Sequence, residues 1–316
     1  MPNLKIAVVG CGSRGRSHMK VISGFEDTDL VAICDPVQSS LDAAAEEFQV
    51  DRKYLDLETL LNTESLDAVI TAPPAHLNAA VARPVLERGI DTLLEKPPGL
   101  ASSETMELRD AASESGAKAM VGWDRRFNPF ILEAKQSVES RGPITQLVGE
   151  FHKSIHQLDA TGRFSEHLMD NMLFETPIHA LDTLRALANA EVAEVHSVVR
   201  RATSAYKDVH AALILFENGC VGQLTANYTT DARLERYEIH GNRISIYLEG
   251  IKQGVAYRNG DRHELKGAGP NGIQAQDRYF LDCVRDNRPI DLPAANLDEA
   301  VKTMELAEEI LRGLRT

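Results

Sequence analysis

Between Leu4 and Val121 the chain alternates between two hydrophobic periods, and few folds accommodate that alternation. Segments 4–9, 30–34, 68–71, 92–94 and 119–121 are short apolar runs, and they predict strands buried on both faces. Segments 14–23, 39–48, 57–61, 76–88 and 102–115 between them carry helical spacing. Ser102-Ser103-Glu104-Thr105 offers a start signal for the last of these. Strand–helix–strand alternation implies a doubly wound parallel sheet with helices on both faces, an α/β class.

The pattern changes after Gly122. A helix over 128–141 is stopped by Gly142-Pro143. Longer runs follow at 145–151, 192–202, 209–216, 221–228, 233–240, 243–248 and 254–258, many alternating apolar and polar residues. Glu217-Asn218-Gly219 and Gly241-Asn242 stand between runs as hairpin turns. This predicts a large open, mostly antiparallel sheet with one packed face. Helices are expected at 172–188, 274–286 and 297–314. At roughly 150 residues per domain, 316 residues suggest two domains, drawn here as 1–122 and 123–316.

Composition removes several classes. A hydrophobic content of 43% is incompatible with a disordered chain. No apolar stretch reaches the roughly 18 residues of a membrane span. Lys and Arg number 34 against 47 Asp and Glu, and the resulting −13 disfavours a nucleic-acid or anionic-membrane partner. Cys11, Cys34, Cys220 and Cys283 form no C-x-x-C pair, and the opening residues lack a signal-peptide pattern. Both features point to the cytoplasm.

Gly10-Cys11-Gly12-Ser13-Arg14-Gly15 follows the first predicted strand and opens the first helix, with Asp35 ending the second strand. In that context the motif is a dinucleotide fingerprint. Gly10 permits the tight turn, Gly12 the approach of a pyrophosphate, and Gly15 close helix–strand contact. The helix start then faces the anion. Asp35 suits two ribose hydroxyls and would repel a 2′-phosphate, and Pro36-Val37 supply no arginine, so NAD is favoured over NADP.

Glu95-Lys96-Pro97-Pro98 follows the strand at 92–94, where strand ends face the ligand crevice. Lys96 there can polarise a substrate oxygen, although a surface Lys–Glu pair fits the spacing as well. Pro73 and His76 end the fourth strand on the same edge. In a helix over 172–188, Glu175, His179 and Asp182 are spaced i, i+4, i+7 and share one face. A histidine between carboxylates suits a base for a hydroxyl proton. A zinc site and a structural histidine are the other readings of that spacing, and no metal is assigned.

These segments together resemble the Gfo/Idh/MocA oxidoreductases, inositol-dehydrogenase-like members included. The likeness runs through Gly10–Gly15, Arg16-Ser17-His18, Asp35, Ala72-Pro73-Pro74-Ala75-His76, Glu95-Lys96-Pro97, the segment 121–127 and Glu175-Thr176-Pro177-Ile178-His179-Ala180-Leu181-Asp182. The resemblance implies a Rossmann domain, then a domain whose open sheet supports homodimers or homotetramers. It implies Lys96 as catalytic lysine, His179 as base and Glu175 as its acidic partner, where the family carries Asp. Asp124 likewise replaces a common Asn. Cofactor contacts are expected from Gly10, Cys11, Gly12, Ser13, Arg14, Gly15, Asp35, Pro73, His76, Glu95 and Lys96. Substrate contacts are expected from Arg126, His156, Asn171 and Asp182, with Asp159, Arg163 and His167 in the same roofing segment. The implied activity moves hydride between nicotinamide and a secondary alcohol of a sugar, polyol or sugar derivative. An NAD-dependent glycoside hydrolase and a non-catalytic NAD sensor are the alternatives.

Overall fold

The first half forms six strands, five of them at the predicted apolar runs. In this computed structural model, which describes residues 2–162 and 164–315, they are β1 (Leu4–Val9), β2 (Thr28–Cys34), β3 (Lys53–Tyr54), β4 (Ala68–Thr71), β5 (Asp91–Glu95) and β6 (Ala119–Gly122). Their order is β6-β5-β4-β1-β2-β3, all parallel. Ile6, Ala7, Val8, Val69, Ile70, Leu93 and Leu94 are fully buried, as a sheet covered on both faces requires. The chain leaves β1 toward β2 on one side, while β4 pairs on the other. Ligands of open parallel sheets bind at the carboxyl ends of strands where the order reverses in this way.

The second sheet is built from β7 (Ile144–Ser154), β8 (Val192–Arg200), β9 (Val209–Phe216), β10 (Val221–Asn227), β11 (Thr229–Gly241), β12 (Ile244–Glu249), β13 (Gln253–Arg258) and β14 (Asp261–Glu264). Its order is β14-β13-β12-β11-β7-β10-β9-β8, antiparallel except for the β7–β10 pair. In β9 every second residue is buried, and Ala211, Leu213 and Leu215 point outward. Helices Pro129–Glu139 and Ile178–Ala188 cover the inner face. A Cβ at Gly149 would lie 3.4 Å from Ala180, and one at Gly241 would strike Val138. Burying each of Leu181, Leu184 and Leu187 stabilises this packing by about 1.5–3 kcal/mol.

A short strand β15 (Ala295–Asn296) adds antiparallel to β6. With the helix Gly272–Arg285 it belongs to the first of two units, Met1–Asp124 with Gly272–Val301. The second unit is Arg125–Asn271 with Lys302–Thr316. Strands β3, β14 and β15 are two to four residues long, too short for a periodic signal. Cys11, Cys34, Cys220 and Cys283 are free and buried. Among the described residues no helix is long and apolar enough to cross a membrane.

Candidate active site and cofactor cradle

The three glycines after β1 have separate geometric reasons. Gly10 has φ +101°, and a Cβ there would lie 2.5 Å from the Ala72 carbonyl oxygen. A Cβ on Gly15 would sit 1.8 Å from the Gly10 oxygen, so the helix Ser13–Ile22 passes too close for any side chain. Gly12 differs: nothing lies within 4 Å of its Cβ position. It is the N-cap of that helix and supplies no side-chain hydrogen bond to the first N–H groups. That combination fits a pyrophosphate. Beside it, Asp35 accepts from the Cys11 N–H at 2.7 Å and the Val37 N–H at 2.8 Å. Each carboxylate oxygen keeps a lone pair for a ribose hydroxyl. The Cys11 thiol is inert there: burial, then the Asp35 charge, push it up to about 12.

Glu95 ends β5 in a buried network. Its Oε1 accepts from Arg14 Nε at 2.7 Å and from His18 Nε2 at 3.1 Å. Arg14 also reaches Asp124 at 3.2 Å, and His18 Nδ1 lies 2.8 Å from Asp277. Both ring nitrogens of His18 therefore face carboxylates, which only accept, so the ring is an imidazolium. Burial opposes that charge, but Asp277 and Glu95 outweigh it and raise His18 to about 10. Burial likewise opposes the Glu95 carboxylate, and Arg14 and His18 outweigh it, lowering Glu95 to about 2. The Glu95 carboxylate and the Arg14 guanidinium are engaged with one another.

The turn after Glu95 is held from below. Asn78, buried at the start of helix Asn78–Glu87, donates to the carbonyls of Glu95 and Pro97 on either side of Lys96. The Lys96–Pro97 peptide is cis. Lys96 is half-buried, Pro73 is half-buried after β4, and His76 is exposed in the 3-10 turn Ala75–Leu77. Sequence reasoning missed Asn78 and Asp277 as members of this corner. The only local sign was the polarity of two residues inside otherwise amphipathic helices.

In the second unit the helix around His179 is shorter than its spacing predicts. A 3-10 turn, Met172–Phe174, ends at Glu175, and the α-helix spans Ile178–Ala188 with Pro177 as its N-cap. Proline disfavours helical backbone in the residue before it, so the helix starts afterwards. Glu175 thus stands outside the helix, and the shared i, i+4, i+7 face is corrected. Glu175 lies 3.3 Å from Lys153 Nζ. His179 is 4% exposed in the first helical turn, its N–H donating to the Thr176 carbonyl at 3.1 Å.

Asp182 is fully buried and takes Arg126 bidentately at 2.8 and 2.7 Å, with Thr303 donating at 3.1 Å. The Asp182 carboxylate and the Arg126 guanidinium are thus engaged with each other. Arg125 pairs with Glu235 by two hydrogen bonds of 3.0 Å. Asn171 accepts from Lys207 at 3.0 Å and is half-buried, whereas His156, Asp159 and His167 are exposed. Arg163 lies outside the described residues.

A glycine cradle on a doubly wound sheet, followed by a lysine at a strand end and a second unit carrying an open sheet, defines a dinucleotide-dependent oxidoreductase. Residues 4–123 match the oxidoreductase family with an NAD-binding Rossmann fold, and residues 131–247 match the GFO/IDH/MocA C-terminal domain. The chain belongs to the Gfo/Idh/MocA oxidoreductase family, and NAD is its cofactor. It is 26% identical to scyllo-inositol 2-dehydrogenase (NAD(+)) of Bacillus subtilis, over 79% of this chain and 75% of that protein. It is 24% identical to D-apiose dehydrogenase of Paraburkholderia graminis, over 96% of this chain and 86% of that protein. Among solved structures it resembles an oxidoreductase of Agrobacterium radiobacter bound to NAD+, L-tartaric acid and magnesium. That match has a TM-score of 0.83 and 18% identity, covering 98% of this chain and 96% of the other.

Proposed function

We propose that the protein oxidises a secondary alcohol of a sugar, polyol or sugar derivative, with residues 1–122 binding NAD and 123–316 binding substrate. The observation that carries this is the open position over Gly12 at an uncapped helix start, beside an Asp35 carboxylate fixed by main-chain donors. The dehydrogenases of inositol and apiose among its relatives support the substrate class. NAD, when bound, supplies the hydride acceptor. His179 takes the hydroxyl proton, Lys96 stabilises the oxygen as charge develops on it, and Glu175 orients the imidazole. The Asn78 hydrogen bonds on both sides of Lys96 hold its main chain still while that happens.

The finer setting belongs to the same proposal. Four free buried thiols suit the reducing cytoplasm. The outward face of the second sheet, with Val198, Leu213, Leu215 and Tyr257 exposed, suits a homodimer or homotetramer, and light scattering reads that directly. The partner is a small molecule, and the −13 charge argues against nucleic acid.

The test is a panel of inositols, aldoses and sugar acids scored for accumulating NADH. His179→Ala lowers the rate by about 10²–10⁴-fold, the scale of a general base. Lys96→Met combined with His179→Ala costs less than the product of the single losses, because both act on one oxygen. Sugar release without NADH, or full multiplicativity of the two losses, sinks the mechanism.

A further inference from the structure

Lys153, one residue from the end of β7, donates to the Thr176 hydroxyl at 2.6 Å and lies 3.3 Å from Glu175. Its ammonium stands 5.9 Å from the centroid of the buried Phe151 ring. From the neighbouring β11, the Arg233 guanidinium stands 5.5 Å from the same centroid. Two cations thus stand within 6 Å of one ring centroid, and one of them is hydrogen-bonded to Thr176, whose carbonyl receives the His179 N–H.

Arg125 already occupies both oxygens of Glu235, and the Tyr237 hydroxyl adds a third donor at 3.1 Å. Arg233 shares that carboxylate through one 3.2 Å contact and keeps 58% of its side chain exposed. Lys153 shares Glu175 with solvent, at 19% and 20% exposure. Arg125, Lys153 and Arg233 are thus gathered on the two carboxylates Glu175 and Glu235. Lysine and arginine side chains only donate, so they suit an acceptor-only group better than a hydroxyl.

We propose that Lys153 and Arg233 form a subsite for an anionic group on the substrate, so that the sugar or polyol oxidised carries a carboxylate or a phosphate. This rests on the dehydrogenase reading above and deepens it.

The test uses the full-length protein and matched sugars: glucose, gluconate, glucuronate and a glucose phosphate. Turnover with NAD+ gives kcat/KM, and calorimetric titration into the protein–NADH complex gives Kd. At least one anionic sugar should be preferred over glucose by about 10–100-fold, the worth of one charge-assisted hydrogen bond. The arm that wins identifies carboxylate or phosphate. Lys153→Met and Arg233→Met should each pull that ratio toward one, while Lys153→Arg retains most of it. Because Arg233 is exposed, its variant reads the subsite even if the Lys153 variant folds poorly. Glucose bound as tightly as every anionic sugar, or a preference that survives both substitutions, overturns the proposal. The titration decides this even where no NADH forms, an outcome that would overturn the dehydrogenase reading alone.

Discussion

Asp277→Asn should change how the first unit's stability depends on pH. The folded His18 ring donates to Glu95 and Asp277 with no solvent contact, and its pKa is raised from an ordinary 6.5 to about 10. A group with a raised folded pKa contributes fully below its unfolded value and loses that contribution as pH rises through the folded one. Between 6.5 and about 10 the folded chain holds a proton that the unfolded chain has released. Stability from this group then falls by up to about 1.4 kcal/mol per pH unit, or roughly 2–3 kcal/mol from pH 7 to 9. Replacing one partner of a buried pair costs about 3–5 kcal/mol at neutral pH, and it weakens the ring's hold on its proton. Trp123, the single tryptophan, is buried within the first unit, so its fluorescence during urea unfolding follows that unit alone. Subtracting variant from parent removes the titration of distant groups. The difference should shrink by at least half between pH 7 and 9. A difference that stays flat would mean that His18 is neutral in the fold, and the imidazolium assignment would be wrong.

Asp35→Ser should weaken NAD and relax discrimination against NADP, because a 2′-phosphate no longer meets a carboxylate. Equal affinities for the two cofactors in the unaltered protein, read by fluorescence titration, would contradict that role. Gly12→Ala and Gly15→Ala should part company. The first folds normally, with a loss of NAD affinity of about tenfold or more, since its Cβ projects where nothing else lies. The second loses stability by several kcal/mol, because its Cβ would overlap the Gly10 oxygen at 1.8 Å. Equal thermal midpoints for the two variants would refute the division of labour.

What the sequence made legible was what local backbone requirements dictate. Gly10, Gly12 and Gly15 are readable because each answers a main-chain need within one turn, and β1, β4 and β9 are readable because burial imposes a run or a period. Pro177 carried a local signal as well. Proline's effect on the residue before it was enough to detach Glu175 from the helix, and helical spacing was the weaker guide. Charged side chains are a different case. His18 is paired across 259 positions, Arg126 with Asp182 across 56, and Arg125 with Glu235 across 110. A carboxylate near a histidine in sequence looks like a catalytic neighbour, yet Asp182 gains more from a bidentate arginine in a dry interior, where an unpaired charge is costly. The same physics separates Glu95 from Lys96. Adjacent at a strand end, they alternate in direction, so one charge is absorbed by the buried network while the other remains at the turn. Spacing therefore identifies which residue types are present at a strand end or helix start, and only the assembled fold assigns each charge to the interior or to the reacting side.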